Sequence, residues 1–255
     1  MFIPLAAFFA LGAVAASFIG VLVARLNTGQ GFLAGRSRCD SCDAPLAAVA
    51  LVPVFSYAFM RGRSRCCGAF LSPRAPLSEL LLGGLFALAF SRIGLSPALP
   101  LMLLSLLLLL ALVLYDLSHS ILPPPLLGAF VAASATAGFF LAPSLASFTS
   151  SGFVALLIAA GFALIHVASR GRAMGLADTP LSFGLALLAG PSALAGLVFS
   201  FWIGAAIGIV VLLGRPRGSR MGVEVPFAPF LAAGFLLAYF TQWNPFAFVA
   251  ALLPS

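Results

Sequence analysis

The chain has 255 residues, of which 62% are hydrophobic and 7% charged, and its mean hydropathy is +1.18. Soluble domains carry roughly 25% charged residues, so a water-soluble globular fold is excluded and lipid is the natural solvent for most of the chain. The net charge of +7 comes from 13 Arg, with no Lys, against six acidic residues. In a membrane protein such an excess reports Arg kept on the cytoplasmic side rather than a nucleic-acid footprint. The predicted fold is an all-α, polytopic membrane helix bundle.

The first apolar run, Phe2 to Ala24, has no basic residue before it and meets Arg25 at its end. That polarity is opposite to a cleaved signal peptide, so the run is predicted to stay as a helix with its N-terminus outside. Seven Arg lie between Arg25 and Arg74, in a stretch rich in Cys, Pro and Gly that reads as a cytoplasmic loop domain. Its apolar piece, Leu51 to Met60, is too short to span. Further helices are predicted at about 77–91, 98–116, 125–142, 152–168, 180–191, 193–214 and 227–250, the last kinked at Pro245, which makes eight in all. The implied organisation is 1–24 as first helix, 25–76 as loop domain and 77–255 as the main membrane domain. Alternating sides from an outside N-terminus brings the C-terminus outside, puts twelve of the thirteen Arg in the cytoplasm and leaves only Arg92 outside.

Asp40 and Asp43 sit in the Arg-rich loop and Glu224 in a later one, where solvation accounts for them. Glu79 is expected to open the second helix one turn after Pro76, where the helix dipole favours a carboxylate. Asp116 ends the run Leu101 to Tyr115, and Asp178 lies between Ala177 and Thr179-Pro180. Both fall at the edge of a membrane segment, where a charge is costly and usually lines a functional cavity. The predicted topology delivers both to the cytoplasmic face. Two Asp meeting in a partly dehydrated cleft can share a proton, activate water and protonate a leaving amine, which is aspartic-protease chemistry. Spacing alone leaves open a proton-coupled transporter, which also keeps paired acids, and an exposed carboxylate at a helix end. His119 and His166 could join the same site, but no His-rich metal spacing accompanies them.

All four cysteines lie in the loop: Cys39-x-x-Cys42, then adjacent Cys66 and Cys67. On a reducing side, four thiolates suggest tetrahedral zinc, against the alternative of reduced thiols.

Together these features resemble the type IV prepilin peptidases, membrane aspartic proteases of the GxGD type. Ala16 to Leu26 is similar to the family's GSFLNVVIxRLP, Leu51 to Tyr57 to LIPVLSY, and Cys67 to Leu81 to CGAxISxRYPLVELL. The pattern IDxxxxxLPD falls on Tyr115-Asp116 with Leu122-Pro123, GxGD on Gly175-Leu176-Ala177-Asp178, and IPFGPFL on Val225 to Leu231. This chain departs from the family at Gly20 for Asn, Ser64 for the first Cys of the second knuckle, Pro124 for Asp, Ala177 for Gly and Pro180 for Lys. The resemblance implies an endopeptidase in the bacterial cytoplasmic membrane that removes the leader of type IV prepilins or pseudopilins. Asp116 and Asp178 would be its catalytic pair, with Gly175, Ala177 and Glu79 supporting the site and no cofactor needed for proteolysis. It further implies an N-methyltransferase activity using S-adenosylmethionine. The competing classes are a degenerate, non-catalytic pilin-binding protein and a proton-coupled transporter.

Overall fold

The computed structural model describes residues 2–26, 42, 44, 53–214 and 226–246. They are almost wholly helical: α1 (Phe2–Arg25), α2 (Phe55–Phe59), α3 (Arg74–Ile93), α4 (Ala98–His119), α5 (Pro124–Leu141), α6 (Leu145–Ser169), α7 (Asp178–Ala189), a single 3-10 turn (Gly190–Ser192), α8 (Ala193–Leu213) and α9 (Ala228–Thr241). Among them, six stretches are long and apolar enough to cross a bilayer, with Asp178–Leu213 counted as one; α9 is apolar but shorter. The chain is an all-α polytopic membrane protein, and each of the eight predicted helices is present.

Several boundaries differ from expectation for local reasons. α3 begins at Arg74, so Pro76 is its third residue, where no intrahelical N–H is required. Glu79 consequently lies beyond the first turn, where the helix dipole no longer favours a carboxylate. α6 begins at Leu145 rather than near 152, because Ser144 caps it by accepting from the Ser147 N–H at 3.2 Å. Thr149 then satisfies its hydroxyl within the helix, donating to the Ala146 carbonyl at 3.0 Å. α9 stops at Thr241 instead of bending at Pro245, since Gln242 takes up a left-handed conformation and its N–H closes on the Ala238 carbonyl.

The chain divides into two compact units, Met1–Leu95 and Ser96–Ser255. In the first, α1 packs on α3 with no room for side chains at the crossing. A Cβ on Gly12 would lie 2.6 Å from the Leu82 carbonyl oxygen, and one on Gly83 would lie 2.8 Å from that of Phe9. Such close backbone approach is how helices associate where lipid removes the hydrophobic drive. The segment between them folds back on itself, with Arg63 and Phe70 paired in an antiparallel bridge and the Arg63 guanidinium over the Phe70 ring.

In the second unit α7 is the central helix, packing against α5, α6, α8 and α9, while α4 packs on α5 and α9. The core is built from Leu112, Phe130, Phe162, Leu181, Leu231 and Phe235, each at most 3% exposed. α8 and α9 cross at Gly234, whose Cα faces the Ser200 backbone; the Ser200 hydroxyl donates to the Gly196 carbonyl at 2.8 Å and reaches the Leu231 carbonyl at 3.2 Å. Two helix ends are thereby fixed close to one another: the C-terminal turn of α4 and the N-terminus of α9.

Candidate active site

Asp116 occupies the last turn of α4, where its own helix presents carbonyl oxygens, an unfavourable place for a carboxylate. The helix ends three residues later at His119, with Ser120 left-handed and its N–H on the Asp116 carbonyl at 2.7 Å. Compensation comes from another helix. The Asp116 carboxylate accepts a hydrogen bond from the backbone N–H of Ala228, the first residue of α9. That N–H belongs to the group of helix-initial donors that lack an intrahelical acceptor. Asp116 is 7% exposed, and its Oδ2 is buried with no hydrogen-bond partner among the described residues.

Asp178 is the first residue of α7, on the favourable end of its own helix dipole, and it is 9% exposed. The two carboxylates act on each other electrostatically, and the backbone amide of Gly175 hydrogen-bonds the Asp178 carboxylate. The fold therefore brings together two acids separated by 62 positions in sequence (178 − 116). Gly175 itself is close enough that a Cβ there would sit 3.4 Å from Asp178 Oδ2. Ala177, the residue before α7, packs with Met174 on the hydrophobic core. Pro180 is the third residue of α7, so its missing N–H leaves no acceptor unpaired, and Pro124 opens α5 in the position where proline is preferred.

Glu79, His119 and His166 each have contacts of their own. Glu79 is in the first unit, where its Oε2 accepts the Val54 N–H at 2.7 Å. Val54 has φ 61° and ψ −51°, and its neighbours close a 2.6 Å bond from the Phe55 N–H to the Pro53 carbonyl. This is a γ-turn of the strained, positive-φ kind, on a β-branched residue. Glu79 anchors that turn. The exposed ring of His119 stacks on Tyr115 with centroids 4.3 Å apart. His166, whose ring nitrogen Nδ1 lies 2.9 Å from the Met174 carbonyl, stands behind the Asp178 loop. Sequence reasoning gave no role to Ala228. Its only signal was the match of Val225 to Leu231 to a family motif, because the contribution comes from a backbone N–H that no residue type announces.

Three of the four cysteines come together: the Sγ atoms of Cys42, Cys66 and Cys67 all lie within 4.8 Å of one another, and those of Cys42 and Cys66 are 3.1 Å apart. Cys39 lies outside the described residues. Ser64, in the place of a family cysteine, is buried and lies 2.9 Å from Cys66 Sγ through its Oγ. Adjacent Cys66 and Cys67 both face the cluster because residues 64–69 form a tight knuckle, with the Gly68 N–H on the Ser64 carbonyl at 2.9 Å and the Ser64 N–H on that of Ala69 at 2.8 Å. The donor set, three soft thiols gathered within reach of one ion, fits zinc in its chemistry.

Residues 10–93 match the family model of the bacterial peptidase A24 N-terminal domain. A prepilin leader peptidase/N-methyltransferase of Bacillus subtilis (strain 168) is 31% identical over 235 residues, covering 91% of this chain and 92% of the relative. The chain belongs to the prepilin leader peptidase/N-methyltransferase family. Relatives of the same name from Myxococcus xanthus (strain DK1622) and Dichelobacter nodosus are 33% and 31% identical; the alignments cover 82% and 78% of this chain and 63% and 69% of theirs. No solved structure matches. Family membership covers both units, since the Bacillus alignment spans nearly the whole of each chain.

Proposed function

We propose that the chain is an endopeptidase that removes the leader of type IV prepilins or pseudopilins, with Asp116 and Asp178 as its catalytic pair. The observation that carries the reading is the juxtaposition of two buried carboxylates, one with a buried oxygen that has no partner among the described residues, in a member of this family. A buried carboxylate oxygen without a partner is costly and is kept where a proton, a water or a substrate group must be received. The pair shares one proton. The ionised member takes a proton from water as the water oxygen bonds to the scissile carbonyl carbon. The protonated member then gives its proton to the amide nitrogen as the C–N bond breaks. Ala228 and Gly175 hold the two carboxylates by backbone N–H groups and leave the chemistry to the side chains.

The Arg distribution supports a multi-pass orientation with the site at the cytoplasmic face and both termini outside. The substrate is then another membrane protein that reaches the site laterally in the bilayer. Cys42, Cys66 and Cys67 would hold a structural zinc ion, with Cys39 available in sequence as a fourth ligand. Methylation of the newly exposed N-terminus from S-adenosylmethionine is a second activity, resting on the relatives' names and on the match of residues 10–93.

The test is leader cleavage of a co-encoded prepilin in membranes carrying the parental chain, Asp116→Asn or Asp178→Asn at matched expression. Both variants are expected to be inactive. A well-expressed variant that processes the prepilin at the parental rate removes the reading.

A further inference from the structure

The loop that delivers Asp178 is tied to the end of α6 by residues that the reaction itself does not use. Arg170 ends the helix in a left-handed conformation, and the Gly171 N–H returns to the His166 carbonyl at 2.8 Å. The Ser169 hydroxyl accepts the Ala173 N–H at 3.2 Å and faces the same His166 carbonyl at 3.2 Å. Gly171 has φ +76°, and a Cβ there would lie 3.3 Å from the His166 ring, so only glycine lets the loop run under the imidazole without strain. The ring then reaches the Met174 carbonyl, 2.9 Å from Nδ1. A carbonyl only accepts, so Nδ1 carries the hydrogen in this bond.

Met174 C=O and Gly175 N–H are the two polar ends of one peptide group. That group is planar and trans, so its carbonyl and its N–H point in opposite directions and cannot be aimed independently. One end is held by His166 and the other bonds the Asp178 carboxylate. We propose that His166 is a positioning residue for Asp178, fixing the Met174–Gly175 peptide from behind so that its N–H stays on the carboxylate. Donation to the carbonyl also polarises the same amide and strengthens the bond that its N–H makes. The need for such a device is visible in the loop, whose residues Gly171 to Ala173, Gly175 and Leu176 are exposed and supply almost no packing of their own. The proposal rests on the catalytic role given to Asp178.

The experiment measures kcat and KM for leader cleavage of a co-encoded prepilin by purified full-length parental protein, His166→Ala, His166→Asn, His166→Gln and Asp178→Asn. His166→Ala is expected to lose about 10- to 100-fold in kcat with KM within about twofold, the size of effect that a slightly misaimed catalytic group produces. His166→Asn is expected to recover most of the rate, because the Asn side-chain NH2 takes the place of Nδ1–H. His166→Gln, whose donor sits one carbon further out, should stay low. A parental kcat in His166→Ala with Asp178→Asn inactive overturns this inference alone, as does an Asn variant no better than Gln. Should the Ala variant fail to accumulate, the Asn–Gln difference decides on its own. Full activity in Asp178→Asn would instead remove the reading of Asp178 on which the inference stands.

Discussion

Glu79 in the N-terminal unit and Asp116 in the C-terminal unit are both 7% exposed, yet the two units use them in opposite ways. The carboxylate of Glu79 is committed to the fold: it accepts the Val54 N–H and holds a γ-turn that a β-branched residue would not adopt alone. Asp116 takes one backbone N–H from Ala228 and keeps Oδ2 buried without a partner among the described residues. Burial alone therefore does not separate a structural acid from a chemical one. What separates them is that Asp116, unlike Glu79, has an oxygen buried without a hydrogen-bond partner among the described residues.

If that distinction holds, the largest effect belongs to the pair. Asp116→Asn and Asp178→Asn should each lose about 10²–10⁴-fold in cleavage rate. Thermal unfolding of Asp116→Asn in detergent should come no lower than that of the parental protein, because a neutral amide costs less to bury than a carboxylate. A marked loss of stability in that variant would make Asp116 a structural acid like Glu79. Gly175→Ala comes next. It places a methyl group in contact with Asp178 Oδ2, and we expect kcat to fall by about tenfold with the protein still folded. Unchanged kinetics would mean that the close approach of Gly175 has no catalytic consequence.

Glu79→Ala should reverse the pattern, destabilising the N-terminal unit by about 1–3 kcal/mol as Val54 loses its acceptor. A second change, Val54→Gly, should recover part of that loss, since glycine accepts positive φ without strain. A double variant no more stable than the single one would sink the γ-turn account. The smallest effect is expected at Gly20, where the family pattern has Asn: a Cβ would meet nothing within 4 Å in this structure. Gly20→Asn should change stability by less than about 0.5 kcal/mol, measured by the unfolding midpoint.

Much of the architecture was legible from hydropathy alone. Long apolar runs that cannot be exposed to water have one backbone solution in lipid, and the helices follow those runs closely. The errors lie at polar ends, where local bonds outweigh hydropathy. The serine- and threonine-containing start of α6 is helical because Ser144 caps it and Thr149 bonds within it. The end of α9 is set by the left-handed Gln242, not by Pro245. At the site, the motifs containing Asp116 and Asp178 were readable, since each is an acid where the membrane makes acids costly. The expected roles of neighbouring residues were less readable, and Glu79 in particular was explained by a helix start that lies five residues earlier than its own position.

Read alone, the sequence marks a polytopic membrane protein, shows roughly where its helices run and singles out Asp116 and Asp178 as candidates, because these depend on composition and on single costly residues. Tertiary structure alone decided how those aspartates are held. Ala228 acts through a backbone N–H at a helix start, and Gly175 acts through an amide whose carbonyl neighbour is gripped by His166. Backbone groups are the same in every residue, so their placement has no signature in the order of side chains and exists only once the helices have packed.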